Sequence, residues 1–248
     1  MAKKKKKEVC IRYLNCGYGT APQYVLKLGG STEPWKWYSF IWYIDGLDVK
    51  IIVDTSVNIE DHKALTSEPF MRKAKEDPLV QLKKLGVKPE DVDIVILTHC
   101  HYDHIGYLDK FPNASIIIQR DEVKIFSAPP KWYPETGPFT PKRFAAVVDK
   151  LEVVNGDYKV VEGVEVWKVG GHTPGCQAVL VDTPKGRVCL ASDNIFWYEN
   201  LEEKWPIGEY HNLDEVVRFM EEVPMKADII IPGHDGQVIK KYPKGVIP

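Results

Sequence analysis

Residues 98–104 read Thr-His-Cys-His-Tyr-Asp-His and directly follow a continuous apolar run. Imidazole mixed with carboxylate suits zinc, manganese, iron or cobalt. Alternate side chains of an extended segment share a side, so His99 and His101 can hold one metal ion. If the chain then turns, Asp103 and His104 can point at a second ion beside the first. Buried ionisable groups need partners, so this stretch predicts a metal site at the end of a buried strand.

Three later segments repeat this layout, with a metal-binding residue type just after an apolar strand. His172 lies in the turn Gly170-Gly-His-Thr-Pro-Gly175, Asp193 follows Ala191-Ser192, and His234 follows Pro232-Gly233. The preceding runs are Val164–Val169, Val188–Leu190 and Ile229–Ile231. Strand ends are a usual place for functional groups on a rigid scaffold, so all three residues become candidate ligands.

The series His-x-His-x-Asp-His, then isolated His, Asp and His, resembles the signature of the metallo-β-lactamase superfamily. The resemblance runs from about Ser39 to His234, which is most of the chain. It implies an α+β fold, the αββα sandwich, in which two mixed β-sheets pack face to face with helices outside. The metals then lie at one edge of the two sheets.

The resemblance also implies a role for each ligand and a cofactor of two divalent metal ions, with Zn²⁺ expected first and Mn²⁺, Fe²⁺ or Co²⁺ left open. The residues expected at the first metal are His99, His101 and His172. Those expected at the second are Asp103, His104 and His234, and Asp193 is expected to bridge the two ions.

Within the superfamily, the chain looks similar to the N-acyl-homoserine-lactonase-like branch. Shared features are the Gly-His-Thr-Pro-Gly turn at 171–175 and the aromatic Tyr102 inside the first motif. Those lactonases usually carry a tyrosine three residues after the bridging aspartate, where this chain has Phe196. Because phenylalanine cannot donate a hydrogen bond, we expect Tyr198 to take that catalytic place from a shifted loop.

The resemblance implies a dinuclear metal-dependent hydrolase in which a metal-bridging hydroxide attacks a lactone or ester carbonyl. Asp103 is expected to orient that hydroxide and to move its proton. Aromatic residues near the motifs suggest an apolar or aromatic acyl part. The predicted pocket residues are Tyr102, Trp132, Tyr133, Phe196 and Trp197. A glyoxalase II-like thioester hydrolase, a phosphodiester hydrolase and a mononuclear iron sulfur dioxygenase stay open as alternatives.

The charge and composition of the chain indicate which kinds of binding partner to expect. The net charge is −2, and without the five lysines of the run 3–7 the remainder carries −7, which argues against nucleic acid. We expect a small-molecule ester or lactone as the substrate and no membrane insertion, because no apolar stretch is long enough. A homodimer is left open. The five cysteines are odd in number and show no Cys-x-x-Cys spacing, which favours a cytoplasmic location.

The organisation predicted along the chain is a basic disordered tail over residues 1–8 and one domain over 9–248. Strands are expected at Val9–Leu14, Tyr24–Leu28, Tyr38–Ile44, Val49–Val53, Val92–Leu97, Val164–Val169, Cys176–Val181, Val188–Leu190 and Asp228–Ile231. Helices are expected to begin after Asp77, at Thr140-Pro141 through about Asp149, and at Asn212, ending near Val223. Two helix-covered sheets follow from this order.

Overall fold

A computed structural model describes residues 8–128 and 141–248. The larger of its two sheets is mixed, with antiparallel pairing on one side and parallel pairing on the other. Its strands, in spatial order, are β13 (Val246–Ile247), β1 (Cys10–Pro22), β2 (Pro34–Asp45), β3 (Ile51–Val53), β5 (Ile94–Ile96), β6 (Ser115–Gln119) and β7 (Leu151–Val154), and β4 (Phe70–Met71) pairs with β1.

The smaller sheet is antiparallel except at one edge. Its order is β12 (Ile229–Ile231), β11 (Gly186–Leu190), β10 (Gln177–Thr183), β9 (Val164–Lys168) and β8 (Tyr158–Val161). Only β11 and β12 run parallel within the described part of this sheet. Both sheets are therefore mixed, as expected.

Helices connect and cover the strands. The α-helices of the described residues are α1 (Gln23–Leu26), α2 (Ile59–Leu65), α3 (Pro78–Lys84), α4 (Tyr102–Ile105), α5 (Arg120–Ser127), α6 (Pro141–Ala145), α7 (Tyr198–Glu202), α8 (Leu213–Lys226) and α9 (Gln237–Lys241). In the described part of the chain, no helix is both long enough and apolar enough to span a bilayer.

Three apolar layers hold these elements together. Between the sheets, Ile44 and Val53 of the larger sheet pack with Val188 of the smaller one, and all three are fully buried. Leu82 of α3 belongs to the layer on the outer face of the larger sheet. Phe219 of α8 packs on the outer face of the smaller sheet. The order helix, sheet, sheet, helix confirms the predicted αββα sandwich.

The helix predicted after Asp77 rests on two end signals that the structure bears out. Asp77 Oδ1 accepts hydrogen bonds from the backbone N–H groups of Leu79 and Val80 at the start of α3. Gly86, just beyond that helix, has φ +74, a backbone conformation that glycine adopts without steric cost. The predicted helix at Pro141 is shorter than expected, because α6 ends at Ala145 and a 3₁₀ turn follows at Val148–Lys150.

The predicted strand Tyr24–Leu28 is wrong. Residues Gln23–Leu26 form one helical turn, in which the N–H of Lys27 donates to the carbonyl of Gln23. Strands β1 and β2 pair as far as Pro22 and Pro34, so the segment between them must reverse the chain. This requirement outweighs the strand preference of its aromatic and branched residues. Tyr24 is 49% exposed, as suits a connecting segment.

Strand β1 continues well beyond the predicted end at Leu14. Its pairing with β2 shifts register between Asn15 and Tyr18, and Gly17 within that bulge has φ +108. A bulge adds a residue and bends the strand. Pairing resumes beyond it, so the β1–β2 hairpin extends past the parts that pair with β13 and β3. The predicted tail lies outside the described residues except for Glu8. The single domain over 9–248 stays a prediction.

Replacing the cap of α8 should lower stability measurably. The Asn212 side chain accepts from the N–H groups of Asp214 and Glu215, so Asn212→Ala leaves both without that partner. We expect a loss of about 1 kcal/mol in the free energy of unfolding, measured by urea titration. Glu221→Ala, on the exposed side of the same helix, should stay within about 0.5 kcal/mol of the wild type. Equal losses in the two variants would contradict the role of the cap.

Candidate metal centre

The loops after four strands bring the seven candidate ligands together. His99 and His101 follow β5 in extended backbone, and α4 begins at Tyr102, which turns the chain so that Asp103 and His104 face the same centre. His172 follows β9, Asp193 lies in a 3₁₀ turn after β11, and His234 follows β12.

The ligand atoms form two clusters that share one carboxylate. In each cluster, the ligand atoms all lie within 4.8 Å of one another. The first cluster contains His99, His101, His172 and Asp193. The second contains Asp103, His104, Asp193 and His234. This division matches the one that the family resemblance implies, with Asp193 in both clusters, and the ligand roles themselves stay a prediction.

Hydrogen bonds on the outer side of three imidazoles fix which nitrogen faces inward. The Nδ1–H of His234 donates to the Tyr38 carbonyl at 2.7 Å, and that of His172 donates to the Glu209 carbonyl at 2.8 Å. His104 Nδ1 lies 2.8 Å from Asp54 Oδ2. Because the outer nitrogen carries the proton, Nε2 of each ring presents a lone pair to the centre.

The inner atoms fit a cation better than they fit one another. His104 Nε2 lies 3.3 Å from Asp193 Oδ1, and His234 Nε2 lies 3.1 Å from the same oxygen. Within the described residues, His99 Nε2, His104 Nε2 and Asp193 Oδ1 are buried and have no hydrogen-bond partner. Buried polar atoms are rarely left so, and a divalent ion between the lone pairs would satisfy them.

The protonation state of the first cluster also suits a metal. Burial lowers the pKa of His99 well below its usual range, and the neighbouring His104 lowers it further. Burial and the neighbouring His172 also lower the pKa of His101 well below its usual range. Both rings are therefore neutral at pH 7, which is the form of histidine that binds metals.

Two buried carboxylates that we did not predict hold the ligand loops. Asp54 accepts from the Thr98 N–H at 2.8 Å and from the Thr98 hydroxyl, in addition to His104. Glu122 accepts from the N–H groups of Cys100 and Gly175, which joins the first motif to the His172 turn. Asp54 directly follows strand β3, and this position after a strand is the signal by which the candidate ligands were found. Glu122 lies on α5 and has no such signal.

A cavity of about 190 Å³ opens beside the two clusters. Its floor includes His101, Asp103, Asp193 and His234. The remaining lining residues are Thr20, Ala21, Pro22, Val25, Leu26, Trp37, His62, Thr66, Glu68, Tyr102, Phe196 and Glu209. The cavity thus reaches from the metal centre to the far end of the β1–β2 hairpin and helix α2.

Of the predicted pocket residues, Tyr102 and Phe196 line this cavity. The Phe196 ring lies between His172 and His234, with centroids 5.7 and 5.4 Å away. Trp197 instead packs against Trp35, with ring centroids 4.7 Å apart, and is not part of the cavity wall. Trp132 and Tyr133 lie outside the described residues.

The expectation that Tyr198 replaces the absent tyrosine is not met by its position. Its side chain packs in the apolar layer between the sheets, and Lys241 Nζ lies 3.3 Å from its ring centroid. Tyr198 is absent from the described lining of the cavity. The backbone N–H of Tyr198 donates to Asp235, which holds the start of α7 and turns the ring inward. Residues 196 and 198 therefore have different surroundings, and of the two only Phe196 is among the described cavity residues.

Neither of the two cysteines next to the candidate ligands belongs to a ligand cluster of the described residues. Cys100 and Cys176 are both fully buried. Burial raises the pKa of each thiol well above its usual range, helped by Glu122 for Cys100 and by Asp193 for Cys176. A protonated buried thiol is inert, as expected from the sequence.

Comparison with known proteins settles the family. A match to the metallo-beta-lactamase superfamily covers residues 35–234. The chain belongs to this superfamily. Two of its sequence relatives each cover about two thirds or more of its length. An N-acyl homoserine lactonase of Bacillus cereus is 33% identical over 200 residues, which cover 75% of this chain and 76% of the relative. The N-acyl homoserine lactonase AttM of Rhizobium radiobacter is 31% identical over 175 residues, 66% of each chain.

Solved structures of the superfamily share the fold. An N-acyl homoserine lactone hydrolase with the product N-hexanoyl-L-homoserine at its catalytic metal centre superposes with a TM-score of 0.80, at 21% identity over 95% of this chain and 96% of that one. AidC, a dizinc quorum-quenching lactonase with the same type of product, gives 0.73, at 18% identity over 93% and 89%. The chain thus has a metallo-β-lactamase fold and a ligand set for a dinuclear divalent centre.

Loss of the Asp54 charge should weaken metal binding. Asp54→Asn keeps the shape and tolerates the backbone φ of 59° at this position, but it weakens the hydrogen bond that orients His104. We expect affinity for Zn²⁺ to fall about tenfold or more, measured by competition with a chelator. Asp48→Asn, an exposed aspartate, is the matched control and should bind as the wild type does. Unchanged affinity in Asp54→Asn would contradict the orienting role.

Proposed function

We propose that this protein hydrolyses the lactone ring of N-acyl homoserine lactones at a centre of two divalent cations. The observation that carries the proposal is the pair of ligand clusters sharing Asp193 at the floor of a cavity large enough for a small acyl lactone. The lactonase relatives, which match three quarters of the chain, favour this reaction over the alternatives. When bound, two such cations polarise a carbonyl and lower the pKa of water toward neutrality.

The cavity wall suits a neutral substrate with an apolar chain. Val25, Leu26 and Trp37 supply apolar surface beyond the ligand clusters. Phe196 lies directly over the ligands, so an acyl chain can leave the centre along an apolar path. Burying each methylene of such a chain would contribute about 0.8 kcal/mol.

Charge on the wall argues against the phosphodiester alternative. Glu68 and Glu209 line the cavity, while no lysine or arginine is found among its described lining residues. Arginine clamps are the usual way to hold a phosphate, and carboxylates would repel one. The same carboxylates tolerate a neutral lactone and favour release of the anionic product. A neutral ester substrate therefore fits the wall better than a phosphodiester does.

Asp103 is placed to accept a proton during the reaction. Its carboxylate belongs to the second cluster and also faces the cavity, with 12% of its side chain exposed. Asp103 Oδ2 lies 3.4 Å from His104 Nε2 and 3.6 Å from His234 Nε2, and a cation held among these atoms would favour the ionised carboxylate over the neutral acid. Asp103 is thus a carboxylate at neutral pH. It can orient a nucleophilic water by accepting its proton and can pass that proton to the leaving oxygen.

Zinc as the metal and the cytoplasm as the location are part of this proposal. Histidine and carboxylate ligands suit zinc, and AidC is named a dizinc enzyme. No disulfide bond joins the five cysteines, all of which lie in the described part of the chain. This state agrees with a reducing compartment. The homodimer stays a prediction.

A substrate panel with metal analysis tests the function directly. We expect metal analysis to find two divalent cations per chain. We expect N-acyl homoserine lactones to be hydrolysed much faster than thioesters and phosphodiesters, with the rate measured by proton release at constant pH. Removal of the metals with a chelator should abolish turnover, and Zn²⁺ should restore it. A single iron per chain with oxygen uptake, or faster hydrolysis of phosphodiesters, would contradict the proposal.

The role of Asp103 has a separate test. Asp103→Asn removes the proton acceptor but keeps a side-chain oxygen, so the metals should largely remain while kcat falls about hundredfold or more. Metal content per chain, measured on the same sample, separates loss of chemistry from loss of metal. Asp149→Asn, at an exposed position, is the control and should be fully active. Full activity of Asp103→Asn would show that the proton is handled elsewhere.

A further inference from the structure

A second pair of polar side chains faces the cavity and belongs to neither ligand cluster. His62 of α2 and Tyr102 of α4 both line the cavity, and His62 Nδ1 lies 3.1 Å from the Tyr102 hydroxyl. His62 is only 2% exposed. Forty positions separate its members, so no local sequence pattern links them.

The direction of the hydrogen bond between them follows from the other nitrogen of the ring. His62 Nε2 lies 2.8 Å from the backbone carbonyl of Glu68. A carbonyl oxygen can only accept, so Nε2 carries the proton. Burial lowers the pKa of His62, which keeps the ring singly protonated at neutral pH. Nδ1 is then an acceptor, and the Tyr102 hydroxyl is the donor.

Packing holds His62 in this orientation. The Phe70 ring centroid lies 5.4 Å from that of His62, and the Trp37 centroid lies 6.3 Å away. The Glu68 carbonyl anchors the far side of the ring. Rotating the imidazole would break both of its hydrogen bonds in a buried place, which is costly. The hydroxyl proton of Tyr102 is therefore committed to His62 and turned away from any ligand.

This commitment leaves the Tyr102 oxygen as an acceptor with open lone pairs. Within the described residues, the bond to His62 is the only hydrogen bond that Tyr102 Oη makes. Tyr102 is partly exposed and lines the cavity, as does its neighbour Asp103. A hydroxyl that donates in a fixed direction can still accept from another group.

We propose that Tyr102 Oη is a substrate-binding acceptor that selects lactones carrying a hydrogen-bond donor on the acyl side, with His62 as its positioning residue. The proposal rests on the proposed lactonase function and names the substrate feature that this chain reads. Two groups supply the required chemistry, namely the amide N–H next to the ring and a hydroxyl on the acyl chain. A tyrosine with a free hydroxyl could hydrogen-bond to donors and to acceptors alike, whereas the Tyr102 hydroxyl can only accept from a substrate.

The test compares substrates that differ only in the donor. The first pair is N-hexanoyl homoserine lactone and its analogue with a methylene in place of the amide N–H. The second pair is N-(3-hydroxyhexanoyl) and N-hexanoyl homoserine lactone. For each pair, the ratio is the kcat/KM of the compound with the donor divided by that of the compound without it. We expect this ratio to fall about tenfold in Tyr102→Phe for one of the two pairs, mainly through KM. Because each ratio is taken within one variant, differences in the fraction of active enzyme cancel.

Tyr13→Phe is the matched control, since it also removes a hydroxyl that donates to a partner, the Tyr242 carbonyl, away from the cavity. Its ratios should equal those of the wild type. As a readout independent of turnover, calorimetric titration with ring-opened N-hexanoyl homoserine should show weaker binding to Tyr102→Phe if the amide is the donor. If the hydroxyl is the donor, only the ring-opened 3-hydroxy compound should bind more weakly.

His62→Leu tests the positioning role. Without the acceptor at Nδ1, the Tyr102 hydroxyl can rotate, so the same ratio should fall by a smaller factor than in Tyr102→Phe. In the double variant, the ratio should equal that of Tyr102→Phe, because His62 acts only through the hydroxyl. Additive effects of the two substitutions would overturn the assignment of His62.

The outcomes separate this inference from the function on which it rests. Wild-type protein that opens both lactones of each pair, with ratios unchanged in Tyr102→Phe, overturns the inference and leaves the lactonase function standing. Wild-type protein that opens no lactone overturns both. A fall in the amide ratio or in the hydroxyl ratio supports the acceptor and identifies which donor it binds.

Discussion

The contact on which the site depends is the approach of imidazole lone pairs to the carboxylate of Asp193. These atoms would repel one another without a cation between them, since both carry excess electron density. The protein holds them there through bonds on the outer side of the rings. The Tyr38 carbonyl fixes His234, the Glu209 carbonyl fixes His172, and Asp54 fixes His104. The fold thus stores an arrangement that is favourable only with metal bound.

Each of these outer partners comes from a different part of the sandwich. Tyr38 belongs to β2 of the larger sheet, although the ring that it holds follows β12 of the smaller sheet. Asp54 follows β3, and Glu209 precedes α8. The two sheets must therefore pack in register before the centre can form. The apolar layer between the sheets therefore helps to form the candidate metal site, because it holds the two sheets in that register.

The sequence predicted the parts of the site that depend on local spacing. The cluster at 98–104 and the strand ends before His172, Asp193 and His234 are visible without any structure, because strand and ligand are adjacent in the chain. Two helix-covered sheets followed from those strands, and the αββα sandwich followed from the family resemblance. The residues that sequence reasoning missed act across long separations, as His62 does on Tyr102 and Glu122 does on Cys100. The strand predicted at Tyr24–Leu28 failed for a tertiary reason, the reversal of the chain there, and the position of the Tyr198 ring between the sheets is also set by tertiary packing.

The β1–β2 hairpin combines two tasks that place different requirements on its residues. Its base lies in the apolar core, Tyr38 beyond the bulge supplies the carbonyl that holds His234, and its far end contributes Thr20 and Ala21 to the cavity wall. The carbonyl contact needs only the backbone, so side chains along the far end are free to vary without disturbing it. Substitutions at the tip of this hairpin can therefore reshape the cavity wall while the backbone carbonyl that orients His234 stays in place.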